Sequence, residues 1–328
     1  MLDESTREML RKSLTLVLSD SDGPIRDKLD DLGWDEVIAD DPIPALRLLF
    51  DVKGTTLSSA DALGPLLAGT IAARIGRPDL ATAAVIVLVQ LRSGHPVALL
   101  EAGRLDLIGL ATAEPEPGCA VVVPVEQGAS FSFALVPCDA LRTVAAVSGA
   151  DSSIGFEVRA TVPTSAIEWI GGAIAHDAWE AAVTAARWAL AVELNAIGRS
   201  VIADAVAYTS QRQQYGRPIG TFQALQHRLA AAWASVVGAG EVANEASESS
   251  KSWDAMVAKA LAGRAAENAC TQAQQSYGAI GFTWEHGFHR RLRRVYVLDR
   301  LFGDWRSLEL EIGSRLVSAK AVAKIGQL

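Results

Sequence analysis

Cysteine and long apolar runs are scarce in this sequence, and each shortage excludes a class of protein. The three cysteines, Cys119, Cys138 and Cys270, are far apart and have no CxxC pair or histidine-rich neighbourhood. Their spacing predicts neither a disulfide framework nor a zinc site, and we expect no metal. The apolar stretch Ala83–Val89 is too short to span a bilayer, and the charged N-terminus lacks the apolar core of a signal peptide. We therefore expect a cytoplasmic protein that is not inserted in a membrane.

An excess of positive charge is also missing. The formal net charge is −8 over 328 residues. This charge opposes general binding to nucleic acid or to an anionic membrane, because phosphate binding depends on Lys and Arg. Hydrophobic residues make up 50% of the chain and charged residues 21%, so the protein can bury a large core in two or three structural units.

Helical and β-rich patterns divide the chain into three parts. Apolar residues recur at helical spacing from Ser5 to about Gly103, short β-rich runs follow as far as Val162, and helical spacing returns from Ala166. We therefore predict a mainly α protein with a small β-domain. The predicted parts are an N-terminal helical domain of residues 1–105, a reduced middle β-domain of residues 106–165 and a C-terminal four-helix bundle of residues 166–328.

Five strands and four long helices are predicted in the second and third parts. The strands are Leu107–Leu110, Ala120–Val125, Ser130–Val136, Thr143–Val147 and Phe156–Thr161. The helices are His176–Arg212, Phe222–Ser250, Trp253–Tyr277 and a final one from His286 towards Lys324. The first helix is rich in alanine and would be roughly 55 Å long at the standard rise. Because such a helix projects beyond a small domain, we expect an oligomer.

The junction between the first two bundle helices carries the most informative motif. The run Arg212–His227 reads RQQYGRPIGTFQALQH. Arg212 offers a rigid, always charged fork that suits a diphosphate, and Tyr215 with Gly216 places an aromatic ring at a turn. The alternative for a lone Arg at a helix C-terminus is a favourable interaction with the helix macrodipole.

A second motif follows the third bundle helix. The run Gln275–Glu285 reads QSYGAIGFTWE. Gly278 and Gly281 would let the backbone come close to a cofactor. The alternative is an ordinary glycine-bearing turn between helices.

The two motifs resemble the Arg-x-x-Phe-Gly-x-x-Ile-x-x-Phe-Gln and Gln-x-x-Gly-Gly-x-Gly-Phe-x-x-Glu segments of acyl-CoA dehydrogenases. In that family both segments contact the FAD of a neighbouring subunit; here Ala279 replaces the second glycine. The resemblance implies FAD as cofactor and the family's fold, which is a helical domain, a β-domain and a four-helix bundle. The implied FAD contacts are Arg212, Gln214, Tyr215, Ile219, Phe222, Leu225, Gln275, Gly278 and Ala279.

The resemblance fails at the residues that the family uses for catalysis. The family's Thr-Glu-Pro-x-x-Gly-Ser-Asp loop, which holds the flavin ring, is shortened here to Thr112–Gly118, followed by Cys119. Relatives take their base carboxylate from one of two positions, which correspond here to Phe302 and Ala186. Neither side chain accepts a proton, so we predict no catalytic residue in this chain.

Two further features leave alternatives open. Asp304 lies two residues beyond the expected base and could serve if the loop were rebuilt, whereas an Asp after a Gly commonly forms a turn or a helix cap. The basic run His286–Arg300 could bind phosphates, lie exposed to solvent or form salt bridges with an acidic partner. In the family this region packs at subunit contacts.

The whole pattern resembles the shortened, base-lacking subunit of heteromeric (α2β2) acyl-CoA dehydrogenases, such as the actinobacterial enzymes that act on CoA thioesters of steroid side chains. This implies a full-length partner that supplies the glutamate and binds most of the acyl-CoA, with electron-transfer flavoprotein as the acceptor. One alternative is a complete homomeric enzyme that uses Asp304 as base. Another is a non-enzymatic helical scaffold that has lost flavin.

Overall fold

Helices dominate the architecture, with a β region between two helical parts, as the sequence predicts. The computed structural model describes residues 3–19, 25–81, 85–90, 96–128, 130–146, 151 and 155–319. Within these ranges the α-helices are α1 (Glu4–Ser19), α2 (Ile25–Asp30), α3 (Trp34–Asp40), α4 (Pro42–Thr56), α5 (Leu63–Ile75), α6 (Ala173–Gln211), α7 (Gln223–Ser249), α8 (Ser252–Tyr277), α9 (Phe288–Arg300) and α10 (Trp305–Ala319).

The N-terminal helices pack against the long helix α6. Gly54 on α4 lies so close to α6 that a Cβ there would overlap the carbonyl oxygen of Glu193. Beside this contact, Lys53 Nζ lies 2.9 Å from Glu193 Oε1, and both side chains are buried. Burial lowers the pKa of Lys53, while the Glu193 charge opposes that shift. The close backbone approach and the buried ion pair fix α4 on α6.

The β region is larger than the sequence indicates. The strands are β1 (Val85–Val87), β2 (Ala98–Glu101), β3 (Arg104–Ala111), β4 (Ala120–Gln127), β5 (Ser130–Pro137), β6 (Arg142–Ala146), β7 (Phe156–Pro163), β8 (Glu168–Gly171), β9 (Gln213–Gln214) and β10 (Arg217–Pro218). Strands β1 and β2 lie inside the segment predicted to be helical, so that prediction was wrong there. Their apolar runs are short, and a short apolar run does not distinguish a strand from a helix. Val147, the predicted end of the fourth strand, lies outside the described residues.

Two four-stranded sheets form a sandwich beside the helices. One sheet has the order β1-β4-β5-β8 and the other β2-β3-β7-β6. On β4, Val121 and Val123 point between the sheets, whereas Val122 joins the core that the first sheet shares with the helices. This alternation follows the two-residue period of a strand. The first sheet is therefore covered on both faces, and its β5 side chains reach α6.

Two cysteines form a disulfide, which corrects the prediction that no disulfide is present. Cys119 and Cys138 are bonded, with a Cα–Cα distance of 5.2 Å. They flank the β4–β5 hairpin, in which Ala120 is paired with Pro137. The cysteines continue this register by one step, so they face each other across the open end of the hairpin. Cys270 is buried and free.

The C-terminal helices form the predicted bundle, with two corrections. Helical structure does not return at Ala166 as predicted, because β8 (Glu168–Gly171) pairs with β5 before α6 begins. Alanines on α6 are buried against α7 and α8. At Gly198 of α6, a Cβ would lie 3.6 Å from the Cα of Ala266 on α8. The predicted single final helix is wrong, because the chain breaks between α9 and α10 at Phe302 and Gly303, whose φ angles are +56° and +103°. Lys324, its predicted end, lies outside the described residues.

Candidate functional site

The first motif forms a β-hairpin at the end of α6. Gln214 pairs with Arg217 across a two-residue turn. Tyr215 and Gly216 form that turn with φ angles of +52° and +76°, which is the backbone of a type I′ turn. Gly adopts this conformation freely, but Tyr does so at a cost of about 1–2 kcal/mol. The Tyr215 side chain is 91% exposed, so its packing on the rest of the described residues offsets little of this backbone strain.

Local contacts hold the hairpin in place and leave its charged groups available. The backbone N–H of Ile219 donates to the carbonyl oxygen of Arg212 at 2.8 Å. The Arg217 guanidinium lies 4.3 Å from the ring centroid of Phe222, which is also 6.2 Å from the Tyr215 ring. Arg212 is exposed, as are Gln214 and Tyr215, whereas Ile219, Phe222 and Leu225 are half-buried. The Arg212 guanidinium has no ion-pair partner in the described part of the chain.

The second motif ends α8 and turns the chain towards α9. Gly278 has φ +63° and ψ −138°, a conformation that is essentially restricted to glycine. A 3-10 turn follows over Gly278–Phe282. Gln275 and Ala279 are exposed, so the backbone and the amide of this motif face solvent.

The structure brings the two motifs together. Tyr208, one turn before the end of α6, has its ring centroid 5.2 Å from that of Tyr277, the last residue of α8. The hairpin Gln213–Pro218 and the turn Gly278–Phe282 therefore lie at one end of the bundle, which we call the hairpin end. Phe282 and Trp284 are 77% and 71% exposed, so exposed aromatic rings lie at the same end of the bundle as Arg212.

The two expected base positions lie elsewhere on the bundle. Ala186 is completely buried on α6. The carbonyl oxygen of Phe302 accepts a hydrogen bond of 3.1 Å from Nε of Arg187, the residue after Ala186, so the two positions are neighbours in space. Ala186 and Arg212 are separated by about 26 residues of a nearly continuous helix, which corresponds to roughly 39 Å.

An aromatic cluster fills the space around the base positions. It consists of Phe131 and Phe133 from β5, Trp179 from α6 and Phe302 from the break before α10. The ring centroid of Trp179 lies 6.3 Å from the ring centroids of Phe131 and Phe133, and 6.2 Å from that of Phe302. Phe133 is completely buried. The four side chains of this cluster carry no carboxylate, and the ring centroid of the exposed His176 lies 5.8 Å from that of Phe131.

A buried lysine fixes the break that carries Phe302. Lys259 Nζ on α8 donates to the carbonyl oxygens of Asp299 at 2.9 Å and Gly303 at 3.2 Å, and it lies 3.4 Å from Asp299 Oδ1. Burial lowers the pKa of Lys259 to about 8 and raises the pKa of Asp299. A Cβ at Gly263 would overlap the Asp299 carboxylate. Sequence reasoning missed Lys259, although its place among buried alanines on one face of α8 is a signal of a buried charge.

Asp304 acts as a helix cap in this structure. Its Oδ1 accepts hydrogen bonds from the backbone N–H groups of Arg306 and Ser307, both at 3.2 Å, at the start of α10. Burial alone would raise the pKa of Asp304, but the hydrogen bonds from Ser307 and the nearby Arg300 charge outweigh it and hold the pKa below its usual range. A carboxylate with a lowered pKa is a weaker base.

The shortened loop Thr112–Gly118 is hydrogen-bonded to another part of the chain. The hydroxyl of Thr112 hydrogen-bonds Asp61, whose carboxyl accepts from the backbone N–H of Gly64 at 2.9 Å. Burial raises the pKa of Asp61 despite these bonds. The residues of this chain therefore fit FAD at one place and not at the other. The hairpin end has exposed groups that could bind FAD, whereas the hydroxyl of Thr112 is already hydrogen-bonded to Asp61.

The basic run is partly used inside the chain. Arg294 is buried and donates to the carbonyl oxygens of Leu57 at 3.1 Å and Ser58 at 2.7 Å, and its Nε lies 3.1 Å from Asp151 Oδ2. Arg291 forms an ion pair of 2.8 Å with Asp204. These two arginines connect α9 to other parts of the same chain. The sequence analysis considered phosphate binding, solvent exposure and salt bridges with a partner, but not this role.

The described residues contain neither a membrane-spanning helix nor a cluster of metal ligands. No helix there is long and apolar enough to cross a bilayer. In the same ranges no group of three or more His, Cys, Asp or Glu side chains is arranged to hold a metal ion.

Comparisons with known proteins agree with the bundle. Residues 177–316 match the family model for the acyl-CoA dehydrogenase C-terminal domain. The acyl-CoA dehydrogenase IpdE2 of Mycolicibacterium smegmatis is 36% identical over 111 residues, which are 33% of this chain and 36% of that protein. IpdE2 of Mycobacterium tuberculosis is 36% identical over 91 residues, which are 28% of this chain and 29% of that protein. The matched segments thus span about a third of these relatives.

Solved structures share the whole fold at low identity. A chain of the ChsE4-ChsE5 complex from Mycobacterium tuberculosis superposes with a TM-score of 0.74 at 18% identity, covering 98% of this chain and 99% of that one. The Tcur3481-Tcur3483 steroid ACAD G363A variant gives a TM-score of 0.73 at 18% identity, covering 97% and 99%. Glutaryl-CoA dehydrogenase from Mycobacterium smegmatis gives 0.74 at 18% identity, covering 97% and 96%.

Proposed function

We propose, on the premise that the chain belongs through its C-terminal bundle to the acyl-CoA dehydrogenase family, that it is a base-lacking subunit of an FAD-dependent acyl-CoA dehydrogenase. In this proposal the chain completes the FAD site of a catalytic partner subunit. One observation carries the proposal: the groups suited to a dinucleotide and the positions suited to a base lie far apart on α6.

The hairpin end supports binding of a cofactor held mainly by another subunit. Arg212, Tyr215 and Gln275 are exposed, and Arg212 lies more than half the length of α6 from Ala186. A single FAD cannot contact both places in one chain, because they are separated by roughly 39 Å of helix. Arg212 would face the diphosphate, and Tyr215 would border the flavin of the partner.

The aromatic cluster supports the absence of chemistry in this chain. Dehydrogenation of an acyl-CoA requires removal of an α-proton by a base, while FAD, when bound, accepts the hydride from the β-carbon. Phe302 and Ala186 cannot take the proton. Asp304 is hydrogen-bonded to the first turn of α10, so we assign it the role of a cap. The partner would supply the glutamate and most of the acyl pocket.

We further propose a steroid side-chain CoA ester as substrate and an α2β2 assembly located in the cytoplasm. Support comes from two proteins of the same fold, one described as a steroid ACAD and the other as a complex of two named chains. Electron-transfer flavoprotein is the proposed acceptor. A further chain of this fold comes from a structure described as the electron transferring flavoprotein of Acidaminococcus fermentans.

Purification of the chain alone and together with a full-length relative encoded beside it tests the proposal. We expect little flavin and no dehydrogenation from the chain alone, and a yellow, active complex from the pair. Full activity of the lone chain would instead support a homomeric enzyme. Absence of a flavin absorption band from every complex would support a non-enzymatic scaffold.

A further inference from the structure

The disulfide between Cys119 and Cys138 begins where the shortened loop Thr112–Gly118 ends. It has no role in the function proposed above. In the cytoplasm, which is the location proposed above, thiol systems keep most cysteines reduced, and a disulfide found there is usually catalytic or redox-sensing. The bond therefore needs an explanation of its own.

The sheet around the bond is held together without it. Strands β4 and β5 are eight residues long and are paired along their whole length. Strand β4 also pairs with β1, and β5 pairs with β8. The backbone N–H of Cys138 donates to the carbonyl oxygen of Cys119 at 3.1 Å. Because backbone hydrogen bonds already define this register, breaking the S–S bond leaves the sheet in place.

The chain on either side of the bond lies at the surface. Before Cys119, the exposed residues 116–118 form a turn that is closed by a hydrogen bond of 3.2 Å from the Cys119 N–H to the Glu116 carbonyl oxygen. After Cys138, the exposed Asp139 lies in a 3-10 turn. Exposed segments with few buried contacts open locally at small cost. Such opening brings to solvent the two cysteines, which are 8% and 6% exposed in the closed form.

The third cysteine is separate from this pair. Cys270 is completely buried on α8 within the helical core, whereas Cys119 and Cys138 belong to the core between the two sheets. Burial raises the pKa of the Cys270 thiol to about 12. Because the thiolate and not the thiol attacks a disulfide, Cys270 stays inert near neutral pH. Thiol–disulfide exchange in this chain is therefore confined to Cys119 and Cys138.

We propose that Cys119 and Cys138 form a reversible redox site whose reductant is a dithiol. A thiolate of the dithiol attacks one Sγ atom, the S–S bond breaks, and the other Sγ leaves as a thiolate and takes up a proton. The second thiol of the reductant then attacks the mixed disulfide and releases the first Sγ. Two electrons and two protons pass from the dithiol to the cysteines, and the dithiol becomes a disulfide.

The geometry favours a dithiol over a monothiol as the reductant. The strand register holds the two cysteines with their Cα atoms 5.2 Å apart. After attack by a monothiol, the released cysteine therefore stays beside the mixed disulfide and expels the monothiol again. A dithiol avoids this reversal, because its own second thiol completes the reduction.

Reduction changes how the shortened loop is held. The Thr112 end of the loop keeps its hydrogen bond to Asp61. The Cys119 end loses its covalent link to β5 and retains only hydrogen bonds of its backbone. The reduced chain therefore has the same sheet and a more mobile turn at residues 116–118.

Titration of the lone chain with reduced and oxidised dithiothreitol, without denaturant, tests the redox site. Alkylation with iodoacetamide and mass spectrometry measure the free thiols. We expect reduced dithiothreitol to open the bond and oxidised dithiothreitol to restore it, with Cys119 and Cys138 labelled only in the reduced chain and Cys270 unlabelled throughout. A bond that never forms, or that opens only in urea, would overturn the proposal.

Glutathione provides the monothiol comparison. At the same thiol concentration it should reduce at least about tenfold less of the bond than dithiothreitol does. Equal reduction by the two reagents would overturn the assignment to a dithiol.

Hydrogen exchange measures the release of the loop. The Cys119 amide donates to Glu116, and the Leu141 amide donates to Cys138 at 2.8 Å. Reduction should speed the exchange of both amides at least about tenfold, and should change the exchange of Val123 in the middle of β4 by less than about twofold. Unchanged exchange at Cys119 and Leu141 would overturn the predicted change in the loop.

Two variants separate the redox site from the rest of the chain. The double variant Cys119→Ser with Cys138→Ser should show the exchange pattern of the reduced chain at every dithiothreitol ratio. The control Cys270→Ala should keep the wild-type response. A double variant that still responds to dithiothreitol would overturn the proposal. Every measurement uses the chain without partner or flavin, so the redox site and the proposed function can fail independently.

Discussion

The hairpin end and the aromatic cluster are two regions of one bundle with opposite properties. At the hairpin end, Tyr215 is strained and 91% exposed, and the Arg212 guanidinium is available to a ligand. At the aromatic cluster, Trp179 packs on both Phe133 and Phe302. Hydrogen bonds from Arg187 and Lys259 fix the surrounding backbone.

The difference indicates where the chain depends on something else. A region whose groups are all paired and packed is complete by itself. From the strained, exposed Tyr215 we infer a contact with another molecule. The contrast therefore predicts that changes at the cluster alter folding, whereas changes at the hairpin end alter assembly with flavin and leave folding nearly unchanged.

The largest effect is expected at Lys259. The substitution Lys259→Met should lower the free energy of unfolding by about 3–5 kcal/mol, because it leaves the buried Asp299 carboxylate without its cationic partner. Thermal and urea unfolding measure the change. Lys251→Met, at an exposed lysine just before α8, is the control and should alter stability by less than about 0.5 kcal/mol.

The same lysine should give the wild-type chain a distinct pH dependence. Its pKa is about 8 in the folded chain and about 10.4 when unfolded. Between these values the unfolded state binds more protons, so this group makes stability rise with pH over that window. Lys259→Met should lose this rise. An identical pH profile in the two proteins would show that Lys259 is not buried as a charged group.

The next effect concerns Arg212. In the complex with its partner, Arg212→Gln should weaken FAD retention by about 10- to 100-fold, because a charge-assisted hydrogen bond contributes about 1.5–3 kcal/mol. Flavin content after dialysis measures it. The control is Arg315→Gln, at an arginine on α10 that pairs with Glu311. Equal flavin loss in both variants would remove Arg212 from the cofactor site.

A substitution at Tyr215 should change the stability of the chain and the activity of the complex in opposite directions. Tyr215→Gly relieves the positive φ and should stabilise the lone chain by about 1 kcal/mol. The same substitution should reduce the activity of the complex, since it removes the ring proposed to border the flavin. Unfolding curves and turnover are both needed. A variant that is less stable and fully active would contradict the comparison between the two regions.

The smallest effect is expected at Asp304. Asp304→Ala should cost about 1 kcal/mol of stability through loss of the α10 cap, while Asp304→Asn, which still caps, should cost much less. Neither change should alter turnover of the complex, measured under saturating substrate. Abolished turnover in Asp304→Asn would restore the homomeric alternative.

Local patterns in the sequence predicted much of the bundle and the five strands β3 to β7, but not the strands that precede and follow them. The periodic helices α6, α7 and α8 were predicted within a few residues, because their apolar spacing is strong and their ends carry turn residues. Strands β1 and β2 were missed, because their short apolar runs have no period that separates strand from helix.

The remaining errors come from contacts between residues distant in sequence. The Cys119–Cys138 disulfide follows from the register of β4 on β5, and register is not visible in cysteine spacing alone. The aromatic cluster joins Phe131 to Phe302 through Trp179, three segments that only the folded chain brings together. The motif residues of the candidate FAD site were identified from their local pattern, and their role in binding remains a prediction.

Replacing the partner's base glutamate with glutamine tests the central claim most directly. The complex should retain its flavin and lose all α,β-dehydrogenation, because we propose that the partner's glutamate is the base and that this chain supplies none. Residual turnover that disappears when Asp304→Asn is added in this chain would contradict the account.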